Sequence, residues 1–328
     1  MQRVYDFVDE GLGHSSYVVD LGNGTAVVVD PPRFPIAHEA LLERLNLRLA
    51  WTLDTHSRAD YVSGSTALAD RTGATFVAPA ASHLASPHRR VTDNELVLLA
   101  DGLGLVACAT PGHTPDHHAY VLVEDGAPVA SFSGGSLMVG TVGRTDLNGP
   151  ELAVPLAHGM FAALRRFDQL PDELAVYPTH GAGSFCSAPG AAQRTSTLGH
   201  ERATNPQFSI TDEDEFIERL VEAWTDSGRP TCTIPLVEPV ATTGPLIDVR
   251  QANEYAFGHV PGALNVEPGA VSETGLPVGP LTVMCGHGER AMPAASILTV
   301  CGRDDVSVHD GGPDTWSAAT GNPLETGR

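Results

Sequence analysis

The chain has 328 residues, 42% of them hydrophobic, which suits two domains with separate cores and excludes a disordered protein. The 40 acidic and 19 basic residues give a formal net charge of −21, which argues against nucleic acid or an anionic membrane as a partner. Five cysteines without a short paired spacing, no N-terminal leader and no bilayer-spanning apolar run favour a cytoplasmic protein with reduced thiols.

The first half of the sequence alternates short apolar strands with loops and helices. Strands at 17–21 and 25–30 are joined by the turn residues 22–24, and a buried strand at 50–54 leads into the polar segment 55–61. Further strands are predicted at 75–78, 97–99, 103–109, 119–124, 129–133 and 174–177, and helices at 40–47 and 151–167. This interleaving predicts an α/β fold.

An acidic amphipathic helix is predicted at 211–224, and the composition of the chain changes after it. The segment that follows is rich in Pro, Thr and Gly and has no apolar periodicity, so we interpret residues 227–244 as a linker between domains 1–226 and 245–328. The last domain is predicted to contain strands at 246–249, 281–285 and 306–309 and a helix at 291–300.

A cysteine lies between a strand and a helix in the last domain, in the loop Cys285-Gly-His-Gly-Glu-Arg290. Converging backbone N–H groups and a helix N-terminus favour a thiolate and bind anions. We therefore predict Cys285 as a nucleophile, with Arg290 pairing with loop carbonyls or with an incoming anion. The predicted anion-binding residues are Gly286, His287, Gly288, Glu289 and Arg250.

The segments Leu246-Ile-Asp-Val-Arg250, Glu254-Tyr255, Gly258-His-Val-Pro-Gly-Ala263 and Gly311-Gly312 with Trp316 carry a family resemblance. They resemble the rhodanese domain, a small α/β domain with a parallel sheet. The resemblance implies that Cys285 takes sulfane sulfur from a persulfide or thiosulfate donor and passes it to a thiol or cyanide acceptor. Four residues separate Cys285 from Arg290, the loop length of sulfurtransferases rather than of the related phosphatases.

Five motifs of the first domain carry a second resemblance: Glu10-Gly-Leu-Gly-His14, Val29-Asp30-Pro31, Thr110-Pro-Gly-His113-Thr-Pro-Asp-His, Gly143-Arg-Thr-Asp146-Leu and Tyr177-Pro-Thr-His180-Gly-Ala-Gly. They resemble the metallo-β-lactamase fold as used by persulfide dioxygenases and glyoxalase II-like hydrolases. The resemblance implies an αββα sandwich, and only weakly a homodimer through this domain.

The same resemblance implies a metal site from which ligands are missing. The iron ligands of the dioxygenases would be His56, His113 and a carboxylate, but Gly135 stands at the position of that carboxylate. The additional positions of the dinuclear hydrolases match Arg58, Asp60, Tyr61 and His180. Arginine cannot be deprotonated and cannot ligate a cation, so Arg58 brings a positive charge that Asp60 can neutralise.

The ligands that remain are His56 and His113, with Asp60 and His180 as additional candidates for iron or zinc. We expect a pocket that holds no metal or holds it weakly. His117 and His118 could replace a lost ligand, but they lie where the loop turns into a strand, so only one of them can face the pocket.

The leading hypothesis is a sulfurtransferase acting at Cys285, with the first domain as a scaffold or a binding module for small persulfides. An iron persulfide dioxygenase with two histidine ligands, the carboxylate being replaced by water or Asp60, is the first alternative. A non-catalytic sulfur carrier or sensor that binds a partner protein is the second. A metal-dependent hydrolase ranks last, because activation of water relies on the missing ligands.

Overall fold

A computed structural model describes residues 3–9, 13–33, 35–57, 63–181, 193–225, 244–267, 270–271, 275–286, 290–300, 302–303, 305–309 and 311–327. The described residues form two compact units, one within 3–225 and one within 244–327. The predicted linker lies outside them except for Gly244. The candidate site residues outside them are Arg58, Asp60, Tyr61, His287, Gly288 and Glu289. None of the helices described is long and apolar enough to cross a membrane.

The first unit contains two six-stranded sheets. The strands of the first sheet lie in chain order: β1 (Arg3–Asp9), β2 (His14–Asp20), β3 (Thr25–Val29), β4 (Arg48–Leu53), β5 (Thr75–Pro79) and β6 (Arg89–Val91). Strands β1 to β3 are antiparallel and β3 to β6 run parallel.

The second sheet is built mainly from antiparallel hairpins. Its strands are β7 (Leu96–Ala100), β8 (Leu103–Ala109), β9 (His118–Glu124), β10 (Ala127–Gly134), β13 (Ala175–Pro178) and β14 (Ser196–Thr197), in the order β14-β13-β10-β9-β8-β7. A separate hairpin consists of β11 (Leu137–Met138) and β12 (Thr141–Val142). Because β13 pairs in parallel with β10, both strands end at the same edge of the sheet, where they lead into the loops that follow Gly134 and Pro178.

Helices cover the outer faces of both sheets. They are α1 (Ile36–Leu45), α2 (Ser65–Thr72), α3 (Pro150–Phe167), α4 (Leu198–Thr204), α5 (Pro206–Ser209) and α6 (Glu213–Thr225). The main core lies between the sheets, where Tyr17 and Leu53 of the first sheet cluster with Leu105 and Phe132 of the second. Separate clusters join α1 and α2 to the first sheet, and α3 and α6 to the second. This confirms the predicted αββα sandwich.

The second unit is a small parallel sheet with helices. It contains β15 (Leu246–Asp248), α7 (Ala252–Phe257), β16 (Leu264–Asn265), β17 (Leu281–Met284), α8 (Ala291–Val300), β18 (Val306–Val308) and α9 (Pro313–Thr320), with strand order β16-β15-β17-β18. All pairings are parallel, as the rhodanese resemblance implies.

Several short elements were not predicted from the sequence. Helix α7 has no buried residue, so it carries no apolar stripe, and it is held by a capping box in which Gln251 and Glu254 exchange hydrogen bonds. Helix α2 buries only Ser65 and Leu68. Strand β1 pairs with β2 over all seven of its residues. These elements depend on contacts that a local pattern does not encode.

Candidate functional sites

Three histidines from separate loops meet in the first unit. His56 follows β4, His113 lies between β8 and β9, and His180 follows β13. Each of the three is at most 2% exposed. One ring nitrogen from each lies within 4.8 Å of the others. The structure thus brings together both predicted metal ligands and one of the two additional candidates, while Asp60 is outside the described residues.

The ring of His56 is oriented by a buried carboxylate acting through a hydroxyl group. The Thr55 hydroxyl donates to Oδ2 of Asp30 at 2.8 Å, and it lies 2.8 Å from Nδ1 of His56. Since that hydroxyl has one hydrogen, it accepts from His56, which is therefore protonated at Nδ1. The lone pair of His56 is then on Nε2, the atom that faces His180.

The ring of His113 is oriented in the same sense by a backbone carbonyl. Its Nδ1 lies 2.9 Å from the carbonyl oxygen of Arg144. A carbonyl can only accept, so Nδ1 carries the proton and Nε2 carries the lone pair. The guanidinium of Arg144 is fully buried and donates two hydrogen bonds to Asp146, at 2.9 and 2.6 Å. This pair fixes the loop whose carbonyl holds His113.

His180 is positioned through the backbone. Residue 180 forms a β-bridge with His14, and the N–H of Gly181 donates to the carbonyl of Gly13 at 3.0 Å. Nε2 of His180 lies 3.3 Å from Nε2 of His56. Two nitrogen ligands at 2.0–2.1 Å from one tetrahedral zinc ion are about 3.3–3.4 Å apart. The spacing therefore fits two ligands of a single cation.

Gly135 offers no carboxylate, and little space is left for one. A Cβ atom at this position would lie 2.3 Å from Cδ2 of His113. The N–H of Gly135 donates to Nε2 of His117 at 2.8 Å, and Nδ1 of His117 lies 2.8 Å from the Thr110 hydroxyl. His117 also stacks on His56 with ring centroids 4.9 Å apart. His117 and His118 were predicted as possible replacement ligands, and of these two His117 faces the pocket. Its Nε2 lone pair, however, accepts a hydrogen bond from the backbone N–H of Gly135.

The donor set decides which metal the described residues fit. Two histidines and a carboxylate hold iron in oxygenases, whereas the group of possible ligands found among the described residues consists of three histidines. Three histidines with an open fourth position are a common ligand set of catalytic zinc. The pattern of histidines was visible in the sequence, whereas the Asp30–Thr55 contact and the Arg144 carbonyl, which set the ring orientations, were not.

In the second unit Cys285 follows directly after β17, and α8 begins at Ala291. The residue is buried, at 1% exposure. Gly286 approaches the Gly311-Gly312 pair so closely that a Cβ on Gly312 would lie 2.2 Å from the carbonyl oxygen of Gly286. This contact explains why the segment opposite the loop carries glycine. The loop residues His287, Gly288 and Glu289 are outside the described part of the chain.

Arg290 holds a carboxylate of the neighbouring helix. Its guanidinium donates to both oxygens of Glu254 on α7, at 2.5 and 2.7 Å. Burial alone would raise the pKa of Glu254, but the hydrogen bonds and charge of Arg290 outweigh it, so the net pKa is lower than usual. The predicted partners of Arg290 were loop carbonyls or an anion. Glu254 is a partner that the sequence showed only as part of a family motif, and the carbonyls of His287, Gly288 and Glu289 lie outside the described residues.

Arg250 is likewise paired with a carboxylate. Its guanidinium donates to Oδ1 and Oδ2 of Asp248, at 3.0 and 2.7 Å, and to the carbonyl of Gly258 at 2.7 Å. A hollow of about 300 Å³ lies beside it, lined by Arg250, Asn253, Glu254 and Phe257. The Phe257 side chain is 91% exposed there. The two arginines predicted to bind anions thus each hold a carboxylate.

Comparison with known proteins assigns a family to each unit. Residues 236–319 match the Rhodanese-like domain. The human persulfide dioxygenase ETHE1, mitochondrial, is 27% identical over 194 residues, which cover 59% of this chain and 70% of that protein. A hydroxyacylglutathione hydrolase of Methylobacterium sp. (strain 4-46) is 30% identical over 219 residues, which cover 59% of this chain and 81% of the hydrolase.

Solved structures agree with these matches. A metallo-β-lactamase from Staphylococcus aureus subsp. aureus COL has a TM-score of 0.68 at 26% identity and covers 95% of this chain and 99% of its own. ETHE1 from Myxococcus xanthus has a TM-score of 0.56 at 27% identity, with 69% and 98% covered. The chain therefore belongs to the metallo-β-lactamase-fold family that includes the hydroxyacylglutathione hydrolases and persulfide dioxygenases, and it carries a C-terminal rhodanese domain.

Proposed function

We propose that the chain is a sulfurtransferase of persulfide and sulfane-sulfur metabolism with Cys285 as its nucleophile. The observation that carries the proposal is the position of Cys285, buried between β17 and the start of α8 and inside the segment that matches the rhodanese domain. The similarity of the first unit to persulfide dioxygenases supports the same area of metabolism. The donor is a small persulfide or thiosulfate, and the acceptor is a thiol.

The reaction consists of two displacements at sulfur. The thiolate of Cys285 attacks the outer sulfur of a persulfide donor, a new S–S bond forms, and the donor leaves as a thiolate with the electron pair of the broken bond. An acceptor thiolate then attacks the outer sulfur on Cys285, and the Cys285 thiolate is released. Neither step needs an external oxidant. The positive N-terminal end of α8 and the backbone N–H groups around the loop stabilise the negative charge on sulfur.

Arg290 acts as a positioning residue in this mechanism. Its two hydrogen bonds to Glu254 tie the end of the cysteine loop to α7, and Glu254 in turn caps that helix through Gln251. A guanidinium already paired with a carboxylate contributes less charge to an incoming anion. The positive N-terminal end of α8 therefore carries a larger share of the anion stabilisation at Cys285.

The test uses the full chain with a small persulfide or thiosulfate as donor and a thiol or cyanide as acceptor. In Cys285→Ser, sulfur transfer falls to the uncatalysed background, because a hydroxyl does not form a persulfide. Cys108→Ser, a change at a half-buried cysteine of the first unit, is the matched control and keeps full activity. Mass spectrometry after donor treatment finds one added sulfur atom on Cys285. Full sulfur transfer by Cys285→Ser would overturn the proposal.

Oxidation of persulfides by the first unit is the second candidate function. It is favoured by the similarity to persulfide dioxygenases and by the buried imidazoles of His56 and His113, which each place one ring nitrogen within 4.8 Å of the other. Iron, when bound, would supply the activation of oxygen. This candidate predicts iron in the purified protein and persulfide-dependent oxygen uptake that is lost in His113→Ala. Protein without iron or oxygen uptake would rule it out.

A further inference from the structure

We infer that the first unit binds a small, uncharged apolar molecule in a cavity on the outer face of its second sheet. The cavity has a volume of about 520 Å³ and lies between strands β8 and β9 and the end of helix α3. Cavities that hold small organic ligands usually measure about 300–1,000 Å³. None of the described residues that line it belongs to the histidine cluster or to the loop of Cys285, so the inference is independent of both.

Short side chains of two neighbouring strands form the wall of the cavity on the side of the sheet. On this face Val106 of β8 pairs with Val121 of β9. The next outward pair is Cys108 with Ala119. Tyr120, which lies between the two residues of β9, faces the core between the sheets instead. A cysteine beside an alanine fills less volume than two large aliphatic residues would, so the space between this pair and the helix stays open.

The end of helix α3 forms the second wall. The helix ends at the buried Phe167, and Leu170 follows in the turn after it. Val123 of β9 pairs with Pro128 of β10, and both line the cavity near the turn between these strands. Val123 and Leu170 are only partly buried, so a molecule from solvent can reach the apolar walls. A space enclosed by a sheet and a helix end suits a small molecule better than the flat surface of a protein.

The charge beside the cavity is already neutralised. Among the described residues of its lining only Arg166 is charged, and its guanidinium donates to Oδ2 of Asp93 and to Oδ1 of Asn94, both at 2.9 Å. Burial raises the pKa of Cys108 by more than the nearby Arg166 lowers it, so the thiol stays neutral near pH 7. A charged ligand would lose its hydration here without gaining an ion pair. The lining therefore favours an uncharged ligand.

The test is a fluorescence titration of the full chain with N-phenyl-α-naphthylamine, an uncharged probe that becomes fluorescent in apolar surroundings. We expect saturable binding of one probe per chain. Val123→Phe lowers the affinity at least about 10-fold, because the added ring occupies part of the cavity. Val154→Phe is the matched control, since it makes the same change at an exposed position of α3 outside the lining, and it leaves the affinity unchanged. Circular dichroism establishes that both variants are folded.

A second titration separates the charge of the ligand from its shape. Anilinonaphthalene sulfonate has the same ring systems as the first probe and adds one sulfonate group. We expect it to bind at least about 10-fold more weakly, because the guanidinium of Arg166 is held by Asp93 and the sulfonate would be buried without a partner. Equal affinities for the two probes would overturn the inference that the ligand is uncharged.

Protection of Cys108 locates the bound probe in wild-type protein, without any variant. N-ethylmaleimide alkylates thiols, and mass spectrometry of peptides follows each cysteine separately. Uncharged probe at about 10 times its dissociation constant slows the alkylation of Cys108 about 10-fold, because the occupied cavity excludes the reagent. The alkylation of Cys285, which lies in the second unit, stays unchanged.

Four results would overturn the inference. They are the absence of saturable binding to wild type, full affinity in Val123→Phe, the absence of protection at Cys108, and a dimeric wild type that becomes monomeric in Val123→Phe. The last result, measured by light scattering, would show that a second copy of the chain covers the cavity in place of a small molecule.

Discussion

At the scale of single residues, the chemistry of this protein depends on how buried histidines are oriented. Thr55 and the Arg144 carbonyl each accept an Nδ1 proton and so direct an Nε2 lone pair into the pocket. His117 has the same burial, but its Nε2 accepts from Gly135. His113 and His117 belong to one sequence motif but differ in chemical role. The hydrogen-bond partner of one ring nitrogen decides whether the other nitrogen carries a lone pair that points into the pocket.

His38 is a buried histidine of a different kind. It is 2% exposed, its Nε2 bonds to the Ser16 hydroxyl at 2.8 Å, and its ring stacks on Phe7. Burial lowers its pKa from 6.5 to about 4. Between these values the unfolded chain takes up a proton that the folded chain does not. The free energy of unfolding therefore decreases as the pH falls from 6.5 towards 4.

We predict that His38→Gln removes up to about 3 kcal/mol of this pH dependence, the free energy that corresponds to a pKa difference of this size. Urea unfolding of wild type and variant at several pH values from 7.5 to 4.5 measures the two slopes. His200→Gln, at an exposed position, controls for the removal of a histidine as such. Equal slopes in wild type and His38→Gln would contradict the prediction.

At the scale of elements, long apolar strands were predictable and short capped elements were not. The sequence placed strands at 103–109 and 119–124, and the structure has them at Leu103–Ala109 and His118–Glu124. Helix α1 was predicted at 40–47 but spans Ile36–Leu45, because Asn46 adopts a left-handed conformation that ends it. Helix α7 was not predicted, because none of its residues is buried and it therefore shows no apolar stripe in the sequence.

The backbone at the end of strand β10 shapes the candidate metal site. Gly134 has φ of 60°, and its carbonyl accepts from the N–H of Thr179 at 2.9 Å. A Cβ at Gly134 would lie 2.3 Å from Nε2 of His117 and 2.8 Å from the Thr55 hydroxyl. The absence of a side chain at this position therefore lets two loops of the site pack together.

We predict that Gly134→Ala destabilises the first unit by about 1–3 kcal/mol more than Gly140→Ala does. Gly140 is a matched control, because its φ of 71° is similar but nothing lies within 4 Å of an added Cβ. The difference in the free energy of unfolding between the two variants therefore measures the crowding of the added methyl group separately from the strain of a positive φ. Urea unfolding measures both, and equal destabilisation would show that His117 and Thr55 can move aside without cost.

At the scale of the whole molecule, the chain carries two candidate sites in two units. The histidine cluster belongs to the metallo-β-lactamase-like unit, and Cys285 belongs to the rhodanese domain. The proposed sulfur transfer takes place at Cys285 and needs no metal.

We predict that a chelator leaves sulfur transfer unchanged. The two displacements at Cys285 involve a thiolate and no metal. An assay of sulfur transfer with and without chelator measures the effect. Loss of sulfur transfer on chelation would show that metal is needed at or near Cys285.

The sequence by itself determined the αββα fold, the rhodanese domain and the identity of the candidate residues, from His56 and His113 to Cys285. Strand patterning predicts only an α/β fold, and the αββα sandwich and the rhodanese domain follow from the family resemblance of short motifs, which are local in the chain. Only the tertiary structure decided that His180 lies beside His56 and His113. It also decided that His117 accepts a hydrogen bond from the backbone of Gly135, and that Arg290 forms an ion pair with Glu254. The physical reason is that ring orientation and ion pairing depend on partners distant in sequence, and no local pattern encodes them.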